Sequence, residues 1–129
     1  MIAKNYLELP SEGLVRGNYY DEGNAVTVYL DIKEAEMPGP TVSNFSDSDV
    51  TPTRLTRVGY PVRCIKPVSR DAFINAAEMQ AYGLRDALAS ASFNASLARK
   101  WRENPGDSEV KEHDEFIAWV KEELTKAGI

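Results

Sequence analysis

Two side chains of this chain have intrinsic reactivity, and each occurs once: Cys64 and His113. An imidazole can serve as general base or metal ligand. A thiol becomes a nucleophile when a histidine meets it and a third group orients the ring. Nothing in the spacing brings the two together. His113 falls on the apolar stripe of a helix beside Asp114 and Glu115. It is expected to be a boundary histidine that packs its ring while one nitrogen finds solvent or a carbonyl. Cys64 follows Val62 in an alternating strand and reads as a small buried hydrophobe. Asp47 and Asp49, with Asn44 nearby, offer oxygens to a hard cation. The third ligand, glycine and distant glutamate of a calcium loop are missing, so a solvated turn is the better account. The chain has no glycine-rich phosphate loop, GxSxG elbow, HExxH or CxxC pair. No catalytic residue, metal ligand or cofactor site is assigned.

Charge patterning singles out Arg54, Arg57, Arg63, Lys66 and Arg70, because no acid interrupts Val50 to Arg70 in a chain of net charge −5. Arg57 and Arg63 share one strand face. The strip has three readings. It can pair internally with Glu34, Glu36, Asp47 or Asp49. It can meet an acidic patch on a protein partner or on another copy of the chain. It can bind phosphate or nucleic acid through its guanidinium forks. Overall acidity argues against general binding to nucleic acid or to an anionic membrane. The candidate partner-binding residues are Arg54, Arg57 and Arg63, together with Trp101 and Trp119, since aromatics dominate binding hot spots.

The elements that carry these residues follow from periodicity. Val26, Val28, Leu30 and Ile32 alternate with polar positions, the pattern of a half-buried antiparallel strand. Leu14 to Tyr20 reads as a preceding strand, with Gly17 as a bulge or a close backbone approach, and Asp21–Asn24 as the turn between them. Residues 34–52 lose the pattern and read as a long loop with a short edge strand near Thr41-Val42. Thr53 to Ile65 alternates again, and Pro61 marks it as an edge or broken strand. Ser69 caps a helix that ends at Tyr82 before Gly83. Leu84–Arg102 is alanine-rich and apolar on two opposite sides, which predicts a central helix enclosed by its neighbours. A last helix runs from Glu109 to about Lys126. Its stripe is Val110, His113, Ile117, Val120 and Leu124. The expected fold is α+β: a small N-terminal antiparallel β-sheet of three or four strands packed on a C-terminal three-helix unit. One domain is expected over 1–129, β-rich over 1–66 and helical over 67–129.

The segment CIKPVSRDAFINAAEMQAYGL, followed by HDEFIAWVKEEL, resembles small prophage or phage tail-region proteins of gut bacteria. Those proteins place a strand ending in Lys-Pro before a helix, and then a charged helix containing tryptophan. The likeness covers Val62 to Leu124, contains no catalytic motif and carries over no functional residue. It implies an accessory role in assembly. The expected function is therefore a non-enzymatic structural or protein-interaction module that binds a protein partner or itself. One alternative is a small enzyme or ligand-binding protein with a site near His113. Another is nucleic-acid binding through the Arg54–Arg70 strip. With no apolar leader or membrane-length run, the expected location is the cytoplasm, or a particle assembled there.

Overall fold

The computed structural model describes residues 4–10, 14–15, 18–38, 42–43, 49–50 and 53–129. In chain order the strands are Leu7–Glu8 (β1), Leu14–Val15 (β2), Tyr19–Asp21 (β3), Ala25–Pro38 (β4), Val42–Ser43 (β5), Asp49–Val50 (β6) and Thr53–Ile65 (β7). Three helices follow: Arg70–Tyr82 (α1), Ala87–Glu103 (α2) and Ser108–Lys126 (α3). The fold is α+β, with the sheet first and the helices after it. Five strands form one antiparallel sheet in the order β1-β7-β4-β3-β2, and β5 pairs with β6 in a separate small ladder.

The alternating apolar residues of β4 and β7 do what their period dictates. Val26, Val28 and Leu30 line up beside Tyr60, Val62 and Cys64 on one face, with Val28 directly across from Val62 and Leu30 from Tyr60. Phe73 and Ala77 of α1 and Phe116, Val120 and Leu124 of α3 cover that face and complete the core. Ser69 accepts a hydrogen bond from the Ala72 amide at the start of α1, and Gly83 ends the helix in the left-handed region (φ 64°). Pro61 lies opposite Tyr29, past the end of β1, and Gln80 of α1 donates to its carbonyl at 2.8 Å. The proline is thus tolerated because α1, rather than another strand, flanks the sheet there.

Three expectations are corrected. First, Leu14–Val15 and Tyr19–Asp21 are two strands paired antiparallel to each other, not one continuous strand. Second, β4 runs on to Pro38, so residues 34–38, expected to be loop, form a ladder with 53–57. Val42 does sit in a short strand, while Thr41 and residues 44–48 lie outside the described residues. Third, the alanine-rich helix is not enclosed. No residue of α2 is buried, Leu88 is 77% exposed, and Ala91, Ala95 and Ala98 face outward. Only one stripe of α2 is half-buried, through Ser90, Phe93, Leu97 and Lys100. Alanine favours a helix whether or not its methyl group is covered. Its abundance therefore located the element without locating the core.

Candidate functional site

Where β4 leaves the helices, its register slips. Leu30 pairs with Tyr60 but Lys33 pairs with Val58, so Asp31 and Ile32 together oppose Gly59. This β-bulge puts Asp31 in the left-handed region at φ 49°, a conformation that non-glycine residues hold only when their surroundings enforce it. The enforcement is visible. The Asp31 amide donates to Glu123 Oε2 at 3.2 Å, and the Tyr6 hydroxyl donates to the Asp31 carboxylate. Lys33 Nζ lies 3.7 Å from that carboxylate and 4.2 Å from the centre of the Tyr6 ring. Burial, then the neighbouring Asp31, raises the Tyr6 phenol well above its ordinary value. Lys126 donates to Glu123 Oε1 at 3.1 Å, compensating an otherwise buried carboxylate. On the opposite strand, a Cβ at Gly59 would stand 2.9 Å from the Tyr29 Cβ, so no side chain fits there.

The bulge shifts β4 by one residue in phase, so Lys33, Ala35 and Met37 now share a face with Val58, Thr56 and Arg54. Ile32, expected on the core face, is displaced from it and is absent from the core. Six residue pairs, Lys33–Val58 to Pro38–Thr53, continue past the bulge. At the usual rise per residue this ribbon is about 20 Å long. None of residues 32–37 or 54–57 belongs to the core or packs against it, and Leu55 is 67% exposed.

The arginine strip is occupied from within the chain, though not by the acids expected. Arg54 forms a two-pronged pair with Glu8 at 2.6 and 2.7 Å, Arg63 Nε reaches Glu22 at 2.7 Å, and Lys66 reaches Asp21 at 3.0 Å. Arg70 donates to the carbonyls of Ile129 and Lys121. The partners come from the N-terminal arm and the β3–β4 turn instead of Glu34 and Glu36. Among the described residues, Arg57 has no ion pair; it lies across the ladder from Glu34. Trp119 packs edge-on against Tyr60 (5.4 Å between centroids), with Lys4 Nζ 4.2 Å from its ring. Trp101 is 55% exposed. Of the five residues expected to bind a partner, Arg57 and Trp101 remain open, whereas Arg54, Arg63 and Trp119 are engaged.

The Glu8 pair makes the arm sensitive to acid. Hydrogen bonds from Arg54 and then Thr56 lower the Glu8 carboxyl from 4.5 to about 2. A carboxyl lowered in the folded state stabilises the fold above its ordinary value and loses that contribution as pH falls through the lowered one. We therefore expect the Leu7 and Leu9 amides, held against β7, to lose exchange protection between pH 4.5 and about 2. Glu8→Gln should show weakened protection already at neutral pH, and hydrogen exchange followed by NMR measures both.

His113 does meet a carboxylate, which the spacing did not foretell. Its Nε2 lies 2.8 Å from Glu78 Oε2, and its Nδ1 lies 3.8 Å from Asp114 Oδ1. Asn94 of α2 donates to the other Glu78 oxygen at 3.1 Å. The ring stands 5.8 Å from that of Tyr82 and 5.7 Å from that of Phe93. The expectation of a solvent or carbonyl partner is corrected: the partner is a buried glutamate, joining α1 to α3. The imidazole thus has one ring nitrogen within hydrogen-bond distance of Glu78, and the other has the exposed Asp114 carboxylate nearby. Cys64 is not among its partners. The thiol is buried in the sheet–helix core, which raises its pKa. Among the described residues, no group of three or more His, Cys, Asp or Glu is placed to hold a metal ion, and no helix is long and apolar enough to cross a membrane. Asn44 and Asp47 lie outside the described residues. No family model, curated protein or solved structure matches this chain.

Proposed function

We propose that the chain is a non-catalytic assembly module that binds further copies of itself through the β4–β7 ribbon. The observation that carries this reading is the extension beyond the bulge: past the Lys33–Val58 pair, whose valine is buried, residues 34–37 and 54–57 add nothing to the core. Two strands alone are marginally stable in water, so such a ribbon gains most when another surface covers it. Its composition suits a second copy. Lys33 and Arg57 are interspersed with Glu34 and Glu36, so the charges can complement one another in a pair of ribbons. Leu55 supplies exposed apolar area on one face, and Ala35 and Met37 supply half-covered area on the other. A rigid, strained bulge at the root fixes the direction in which the ribbon projects. This is the kind of role that the resemblance to phage tail-region accessory proteins implies.

The test shortens the ribbon without touching the core. Replacing residues 37–54 by Asn-Gly leaves Glu36 and Leu55 flanking a two-residue hairpin turn. Light scattering over a concentration series should show the mass of the full chain rising, while the shortened chain stays monomeric with an unchanged near-UV spectrum. A full chain that remains monomeric throughout, or a shortened chain that associates equally, removes the reading.

A further inference from the structure

Beside the N-terminal arm, at the outer edge of β7, lies a cleft of about 380 Å³. Pro61 accounts for it. β1 meets β7 through Glu8–Val58 and Leu7–Gly59, and the same register continued would set Asn5 against Pro61, which has no N–H to donate. Pairing stops short of that point, and a gap is left between arm and sheet. The cross-strand pairs Thr27–Arg63 and Tyr29–Pro61 line it from the sheet, Asn5 and Leu7 from the arm, and Gln80 from α1. We propose that this cleft binds a carboxylate on a short apolar body, carried either by a free organic acid or by an acidic side chain of a protein partner. None of these lining residues belongs to the ribbon.

The cleft is lined by donors that lack acceptors. Thr27 and Tyr29 are only 7% and 9% exposed, yet neither hydroxyl makes a hydrogen bond among the described residues. Unlike the hydroxyl of Tyr82, neither is sealed from solvent. Hydroxyls on side chains this buried ordinarily have a partner. Burial, then Glu22 and Tyr20, raises the Tyr29 phenol, so it keeps its proton in neutral solution and remains a donor. Arg63 is engaged through Nε alone, by Glu22 at 2.7 Å, and both Nη groups are left to donate. The Asn5 amide adds further N–H donors. A carboxylate, which only accepts, matches such a set, and a guanidinium takes it in two-pronged fashion. Charge narrows the choice. Among the described residues no acid lines the cleft, although the chain carries a net charge of −5, so an ammonium group would find no counter-charge there. The one cation is partly offset by Glu22, which suits a single negative charge better than a phosphate dianion. The apolar body has its own surface, because Leu7 is 56% exposed and stands with Pro61 beside the donors. The volume lies at the small end of ligand sites.

The experiment is an NMR titration of the full chain at neutral pH and constant ionic strength. The probes are sodium n-butyrate, the acetylated and amidated tripeptide Gly-Glu-Gly, inorganic phosphate, and butyramide as the neutral isostere. Saturable shifts are expected at Leu7, Thr27, Tyr29 and Arg63 with a carboxylate probe and none with butyramide. Arg63→Gln should weaken binding by about tenfold or more, the lower end for a hydrogen bond to a charged group. Tyr29→Phe, which keeps the ring, should weaken it by about threefold or more. The Arg63 side chain is 53% exposed, so its replacement leaves the fold intact, and unchanged amide shifts away from the cleft verify this for both variants. Tighter binding of the tripeptide than of butyrate identifies a partner's side chain as the source; equal or weaker binding identifies a free acid. Absence of saturable shifts with both carboxylates, an equal response to butyramide, a preference for phosphate, or unchanged affinity in either variant overturns the proposal.

Discussion

Phe73→Ala is expected to cost about 3–5 kcal/mol, while Leu88→Ala costs under about 0.5 kcal/mol. Phe73 is fully buried where α1 meets the sheet, with the Tyr19 ring edge-on at 6.0 Å. Its removal leaves a cavity between two layers that cannot collapse, because β4 and β7 are fixed by their ladder. Domains of this size have a total stability of about 5–15 kcal/mol, so the variant loses a large share of it. The melting temperature should fall by roughly 10–25 °C. Leu88 stands in α2, facing water. Urea unfolding of the two variants measures both values. A cost above about 2 kcal/mol for Leu88→Ala would reinstate an enclosed α2, since that is the scale of a truncated core leucine.

The contrast between those residues shows where the sequence is readable. Strand alternation in β4 and β7 and the helix signals around α1 depend on local geometry. Val28, Val62, Ser69 and Gly83 therefore stand where their patterns put them. Enclosure is a tertiary property, and α2 shows the difference. Ala91, Ala95 and Ala98 satisfy the helix and nothing else, so the same letters suit a buried helix or a peripheral one. Phe93 and Leu97 were the informative pair, because bulky side chains at helical spacing mark the stripe that packs.

The bulge was less legible. Asp31, Ile32 and Lys33 fit an alternating strand until Gly59 is seen across the ladder, and a cross-strand partner is not visible in a local pattern. A glycine within a strand signals such a site in general, and Gly59 carried that signal. Glu78 and Glu123 were hidden for another reason. Both sit where the inner faces of α1 and α3 continue, as a period of three or four from Ile74 and Val120 requires, but a carboxylate there reads as solvent-facing. Each is buried because a specific partner meets it: His113 with Asn94 for Glu78, and the Asp31 amide with Lys126 for Glu123. Such pairings belong to the assembled fold, not to either segment.

The second large effect is expected at the Glu78–His113 pair. Both side chains are mostly buried, at 10% and 15% exposure, and 2.8 Å separates Oε2 from Nε2. Glu78→Ala leaves the imidazole without its acceptor and removes one of the two acceptors of Asn94, which retains the Ser90 carbonyl at 2.9 Å. Glu78→Ala should cost about 1–3 kcal/mol, that of leaving a buried polar group without its partner. His113→Leu strands the carboxylate instead, and leaving a buried charge uncompensated costs about 3–5 kcal/mol. The double variant Glu78→Leu/His113→Leu removes both polar ends into a wall already made of Tyr82 and Phe93. It should be more stable than either single variant, with a coupling above about 1 kcal/mol. A thermodynamic cycle by chemical unfolding reads that coupling directly. Additive costs would mean that the two residues act separately, and α1 would then be held to α3 by apolar contacts alone.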